Sequence, residues 1–192
     1  MLRKLTLAAS AALMAVMFSG CTMMKMGMTF MGFSSETQEA YAKMMGTIGE
    51  YGDPAQAMML EFPVKEDLDE QDVFDAMKDY AEEYNMMYVG EKNMFRIDGG
   101  PNDVVHARIA EFCSLTVAKK MFNHSRYYGG FMPCRVVLVE YGDGRRYLIT
   151  MDMTLALYGG TDKKPIDPDL FEDMLNVKEA MEMIPKLAAS GE

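Results

Sequence analysis

The hydrophobic pattern of the chain changes sharply after its first twenty residues. Arg3 and Lys4 make the start positive, and residues 5–18 are apolar except for Thr6 and Ser10. This run is too short to span a bilayer in a mature protein, and it has the charge and length of a secretory signal peptide. We therefore predict that residues 1–20 are a signal peptide.

The segment Phe18-Ser19-Gly20-Cys21 follows this run and resembles a bacterial lipobox, in which the cysteine sulfur receives a diacylglycerol. Cys21 is therefore the predicted lipidation site, and the lipid is the predicted contact with the membrane. We expect a lipid-anchored, periplasm-facing protein of the bacterial cell envelope. Thr22 after the cysteine, in place of Asp, favours the outer membrane. An ordinary secreted protein or an uncleaved anchor are the alternatives.

After residue 20 the pattern of hydrophobic and polar residues predicts both helices and strands. Residues 21–56 are predicted to be a tether with a short helix after Ser34, broken by Gly46 and Gly49. Strands are predicted over residues 57–64, 86–89, 94–97, 104–113, 135–141 and 145–153. Helices are predicted after Asp69, Ser114 and Asp167, with a new cap at Asn176 and a weakening at Pro185.

Strands and helices do not alternate strictly, and residues 142–144 (Gly-Asp-Gly) predict a hairpin between two strong strands. The predicted fold class is therefore α+β, a mainly antiparallel sheet with helices packed on one face as a two-layer sandwich. The domain is assigned to residues 57–160, and residues 161–192 are assigned to a C-terminal helical tail.

Charge narrows the choice of partners. Without residues 1–20 the chain keeps 17 basic and 29 acidic residues, a net charge of −12. We therefore expect no nucleic-acid partner, because such proteins present basic surfaces.

Two segments together resemble the "domain of unknown function 302" family. They are residues 111–120, which carry Cys113, and residues 129–140, which carry Met132-Pro133-Cys134. The resemblance runs over about residues 62–157 and leaves the tether and the tail after Gly160 outside. It implies a compact α+β sandwich that tends to form dimers, so a homodimer is expected. It implies no activity, because none is established for the family.

Cys113 and Cys134 are the strongest candidates for chemistry, since each stands at the end of a predicted strand. A cysteine before a helix can be held as the reactive thiolate by the helix N-terminus. The pair is compatible with a redox or sulfur-handling site, with soft ligands for copper or zinc, or with a structural disulfide. His124, Tyr128 and Met132 are the other candidate site residues.

These observations favour a small ligand-binding or accessory domain on a lipid anchor. A thiol-dependent protein that uses both cysteines, and a copper-binding protein, are the alternatives. No cofactor is identified, and whether the chain is an enzyme stays open. The methionine cluster at residues 23–31 would suit Cu(I), but methionine is abundant along the whole chain and compositional bias explains the cluster better.

Overall fold

The computed structural model describes residues 23–192. The predicted signal peptide and the predicted lipidation site, Cys21, lie outside the described residues. The described part opens with helical residues 23–31. Within residues 23–192, every helix is too short or too polar to cross a membrane.

Five strands form one antiparallel sheet in the order β1-β5-β4-β3-β2. The strands are β1 (Met59–Pro63), β2 (Met87–Arg96), β3 (Val104–Cys113), β4 (Cys134–Tyr141) and β5 (Arg146–Met151). This confirms the predicted α+β class. The two short strands predicted at residues 86–97 form the single edge strand β2, whose register shifts twice against β3, between Tyr88 and Gly90 and between Asn93 and Phe95.

Five helices after residue 34 accompany the sheet: α1 (Ser35–Tyr51), α2 (Glu70–Glu83), α3 (Leu115–His124), α4 (Thr154–Tyr158) and α5 (Pro168–Ser190). Two 3₁₀ segments cover Gln56–Met58 and Arg126–Phe131. The predicted cap of α2 is confirmed, because the Asp69 carboxylate accepts a hydrogen bond from the Gln71 N–H at 2.8 Å.

The tail is one continuous helix, so the predicted interruption at Asn176 and Pro185 is wrong. An interior proline costs a helix roughly 3 kcal/mol. In α5 this cost is offset by a long buried face that packs into the core, formed by Leu170, Met174, Val177, Ala180, Met181, Ile184, Ala188 and Ala189. The tail is therefore part of the domain.

Helix α1 also differs from its prediction, because it continues through Gly46 and Gly49 and ends at Tyr51, before Gly52. Each interior glycine costs about 1 kcal/mol, which packing can outweigh. Tyr41 donates a hydrogen bond to the Gly159 carbonyl at 3.1 Å, and Lys43 pairs with Asp152 at 2.9 Å. This part of the predicted tether thus lies against the domain.

The hairpin between β4 and β5 is confirmed and depends on glycine. Gly144 has φ = 90°, in the left-handed region. At Gly142 a Cβ atom would lie 2.2 Å from the Gly100 carbonyl oxygen, so no larger residue fits there without moving the backbone.

The core lies between the sheet and helices α2 and α5. Phe112, Val136, Leu138 and Leu148 from the sheet are fully buried, as are Phe74 and Met77 from α2. On the other face of the sheet, Ile109, Val137 and Ile149 are register partners and are only partly buried.

Candidate functional site

The two cysteines lie at the same end of neighbouring strands. Cys113 is the last residue of β3 and Cys134 is the first residue of β4. Cys134 is the register partner of Phe112, which places Cys113 one residue beyond that pair. Both are partly buried free thiols, so the predicted disulfide is not formed in the structure.

A small cavity of about 30 Å³ opens between these thiols and the elements around them. Its lining residues are Cys113, Ser114, Val117, Ala118, Met121, Tyr128, Phe131, Met132, Cys134, Met151, Met153, Ala156 and Val177. A cavity needs about 10–15 Å³ of such volume to hold one water, so the space beside the thiols takes roughly two or three water-sized groups.

Sulfur is concentrated in this lining. Two cysteines and four methionines (Met121, Met132, Met151 and Met153) account for six of its thirteen side chains. Three of the 23 methionines of the chain precede residue 23, which leaves 20 among the 170 described residues. At that frequency thirteen residues would include one or two methionines, but six of the 22 residues in the buried core cluster are methionine, which predicts three or four. The methionine content of the lining therefore follows that of the core, and the two cysteines are what distinguishes it.

The two thiols are held in their protonated form. Burial raises the pKa of the Cys113 thiol. Burial, together with the negative charge that Cys113 carries when ionised, raises the pKa of Cys134 to about 11. Desolvation thus acts against the thiolate that the start of helix α3 was expected to favour at Cys113.

Tyr128 closes one side of the cavity. Its hydroxyl donates a hydrogen bond to the Ala156 carbonyl at 2.9 Å, and burial raises the pKa of that hydroxyl. On its outer side lies an open groove of about 610 Å³ that shares four residues with the cavity, namely Tyr128, Phe131, Met151 and Ala156. A ligand that enters from solvent can therefore approach through this groove.

Four of the predicted site residues meet at the cavity: Cys113, Cys134, Tyr128 and Met132. His124 does not join them; it lines the outer groove, where its ring centroid is 6.1 Å from that of Tyr128. His106 is fully buried near the opposite end of β3.

That opposite end carries a buried polar cluster that the sequence analysis did not single out. Arg108 donates hydrogen bonds to Glu70 at 3.0 Å and to Glu91 at 2.8 Å, and His106 contacts Glu70 at 3.2 Å. Although burial acts in the other direction, the hydrogen bonds from Arg108 and His106 hold the pKa of Glu70 below its ordinary value. Arg108 also stacks on the Phe74 ring, 3.9 Å from its centroid.

Metal binding by harder ligands finds no support in the described part of the chain. Within residues 23–192 no group of three or more His, Cys, Asp or Glu side chains could hold a metal ion. Zinc sites use three or four such ligands, so the zinc alternative lacks its ligand set there. Methionine thioethers are a separate class of donor, soft enough for Cu(I).

Half of the sulfur-bearing residues in the lining were not among the predicted site residues. Met121, Met151 and Met153 come from α3, the end of β5 and the residue before α4. Nothing in their local sequence separates them from other core methionines. The pairing of β5 with β4 brings Met151 and Met153 towards the cysteines, and the packing of α3 places Met121 in the lining. The two cysteines and Met132 were identifiable because they flank predicted strands.

One comparison with known proteins identifies a family. Residues 61–186 match the sequence profile described as "Domain of unknown function DUF302". No curated protein matches the chain. A solved structure described as an uncharacterized conserved DUF302 protein from Bacillus stearothermophilus is similar, with 12% identity and a TM-score of 0.49, over 69% of this chain and 98% of that one. The profile match extends beyond the predicted limit and includes most of α5.

Proposed function

The chain belongs to the DUF302 family of domains of unknown function. From the site itself, we propose that the protein is a ligand-binding module of the cell envelope. The ligand occupies the sulfur-lined cavity and enters through the aromatic groove. The observation that carries this proposal is the convergence of two free thiols and four thioethers on one small apolar space.

Binding fits the site better than thiol catalysis. A nucleophilic cysteine needs a substantial thiolate fraction near neutral pH. With the pKa of Cys134 at about 11, only about one molecule in 10⁴ carries that thiolate at pH 7. His124, the candidate activator, lies in the groove rather than beside the thiols. The thiol-dependent alternative therefore has its two cysteines, but their thiols are not activated as nucleophiles.

A cavity-filling variant tests the binding function. Ala118 lies in the cavity wall on α3, so Ala118→Val adds two methyl groups to the space that the ligand needs. We expect native mass spectrometry and elemental analysis of the envelope-purified protein to show a bound species in wild type and none in Ala118→Val. Ala42→Val, on the exposed side of α1, is the matched control for a β-branched residue in a helix. Equal occupancy in all three proteins would rule out the cavity as the site.

The labelling of the thiols separates this function from a purely structural role. We expect Cys113 and Cys134 in envelope-purified protein to react with an alkylating reagent without prior reduction once the bound species is removed. If both cysteines label only after reduction, the pair is a disulfide in the cell. The cavity would then be a packing defect beside a cross-link.

We also propose that Cys21 carries the lipid that holds this module on the membrane. The support is the signal-like start and the cysteine position, both in the sequence. Intact mass should show acyl chains on the mature N-terminus. Cys21→Ser should move the protein from the membrane fraction to the soluble fraction, and continued sedimentation with membranes would contradict lipid anchoring. Inner and outer membranes can be separated by density to test the predicted preference for the outer one.

The face of the sheet opposite the core supports the expected homodimer. Ile109, Val137 and Ile149 form an apolar row across three strands on that face. We propose that two copies pack these faces together. Val137→Lys should then convert a dimer to a monomer in light scattering, whereas a wild-type monomer at all concentrations would exclude the interface.

A further inference from the structure

We propose that the ligand of the sulfur-lined cavity is Cu(I), bound by the Cys113 and Cys134 sulfurs with methionine thioethers completing the shell. This inference rests on the proposed binding function and names its ligand. Two properties of the cavity carry it: its size and its donor atoms.

The space beside the thiols is small. It measures about 30 Å³, against roughly 300–1,000 Å³ for an ordinary organic ligand pocket. A bare metal ion fits this inner space without moving the wall, whereas a larger ligand would occupy the adjoining groove of about 610 Å³.

The donor atoms select a soft ion. The lining offers thiols and thioethers, which are the ligands that Cu(I) prefers. Magnesium and calcium require oxygen ligands, and the carboxylates of the described chain lie outside this lining. Zinc could use the two thiols, but its four-coordinate sites need further imidazole, thiolate or carboxylate ligands that the lining does not contain.

Charge limits how many thiolates the site can carry. An uncompensated charge is very unfavourable in an apolar cavity, and the wall here includes Val117 and Val177. One cysteine thiolate neutralises Cu(I), and neutral thioethers such as Met121 and Met132 can complete the coordination without adding charge. Two thiolates neutralise a divalent ion, so the thioethers, and not the charge, distinguish Cu(I) from zinc.

The binding step balances as an exchange of a metal ion for a proton. The S–H bond of one cysteine breaks, an S–Cu bond forms, and one proton leaves to solvent for each thiolate created. No electrons are transferred, because copper enters and stays as Cu(I).

Anaerobic titration of the mature, lipidated chain in detergent tests the proposal, with bathocuproine disulfonate as the competing Cu(I) chelator. We expect one tightly bound Cu(I) per chain, no comparable retention of Zn(II), and sulfur as the only neighbour of copper in X-ray absorption. Cys113→Ser and Cys134→Ser should each weaken binding by more than the roughly 10–100-fold that loss of an outer contact costs.

Methionine variants provide matched controls and do not depend on the cysteine variants folding. Met121→Leu and Met132→Leu remove thioethers from the cavity, and each should weaken Cu(I) binding about tenfold. Met174→Leu makes the same change in the core on α5, outside the lining, and should leave the affinity unchanged. Replacing the five methionines of residues 23–31 by leucine should also have no effect.

The outcomes separate this inference from the proposed function. Unchanged affinity in the cysteine variants, equal effects of Met121→Leu and Met174→Leu, or loss of binding in the residue 23–31 variant would each overturn the Cu(I) site. If wild type fails to bind Cu(I) but retains another species that Ala118→Val loses, the copper assignment fails and the binding function stands. If neither binds, both fail.

Discussion

The two ends of strand β3 bury polar groups in opposite ways. At one end His106 and Arg108 make hydrogen bonds to Glu70, Glu91 and backbone, and the charges nearly balance. At the other end Cys113 meets Cys134 beside an empty apolar space. Buried polar groups with partners stabilise a fold, whereas donors left beside a cavity are available to a ligand. Among the buried side-chain atoms of residues 23–192, the Arg108 Nε lacks a hydrogen-bond partner, but the hydrogen bonds around it outnumber this one atom. We therefore expect the first end to contribute more to stability and the second end to bind the ligand.

The largest expected loss of stability comes from a substitution in the polar cluster around Arg108. Arg108→Leu removes the cation that lies between Glu70 and Glu91. Loss of one partner of a buried charge pair typically costs about 3–5 kcal/mol. We expect the free energy of unfolding in urea to fall by about 3 kcal/mol while cavity occupancy is unchanged in the fraction that stays folded. Lys120→Ala, in an exposed pair with Asp173, is the control and should cost about 0.5 kcal/mol or less.

The alkylation rate of Cys134 tests the description of the cavity end of β3. Burial raises the pKa of Cys134 from 9.0 to about 11. At pH 7 its alkylation by iodoacetamide should therefore be about 100-fold slower than in the urea-unfolded chain, since the thiolate is the reactive form. The folded rate should keep rising beyond pH 9, where the unfolded rate levels off. Peptide mass spectrometry measures both, and equal rates at pH 7 would mean that the thiol is neither buried nor protonated as described.

Glu70→Gln should give a smaller effect that depends on pH. The pKa of Glu70 is below its ordinary value in the folded protein, so the charged form stabilises the fold. This contribution is complete above the unfolded pKa of about 4.3 and is lost as pH falls through the lower folded value. Wild type should exceed the variant by about 1–2 kcal/mol at pH 7. Urea unfolding at pH 7 and pH 3 tests this, and a difference that grows in acid would refute it.

The smallest effect on stability should come from Met121→Leu. Met and Leu have similar volumes, so a buried exchange usually costs less than about 1.5 kcal/mol. We expect Met121→Leu and Met174→Leu to lower the melting temperature by similar small amounts. A much larger loss for Met121→Leu would mean that the thioether stabilises the fold without any ligand. The assignment of stability to one end of β3 and binding to the other would then be wrong.

Local signals in the sequence predicted most of the sheet and half of the site. β3 was assigned with its observed bounds, because a β-rich run there lies between a turn and Ser114. The docking of α1, the continuity of α5 through Pro185 and the arrival of Met151 and Met153 at the cavity were not predictable in this way. Each depends on packing between residues far apart in sequence, which overrides local propensity.

The irregular edge strand β2 has a consequence for solubility. Its exposed side chains include Met87, Val89, Met94 and Phe95, a composition that could recruit a strand from another chain. The two register shifts interrupt the regular spacing of its backbone groups. A strand from another chain could not form a continuous ladder of backbone hydrogen bonds with this edge. The edge therefore resists stacking into fibrils despite its exposed apolar side chains.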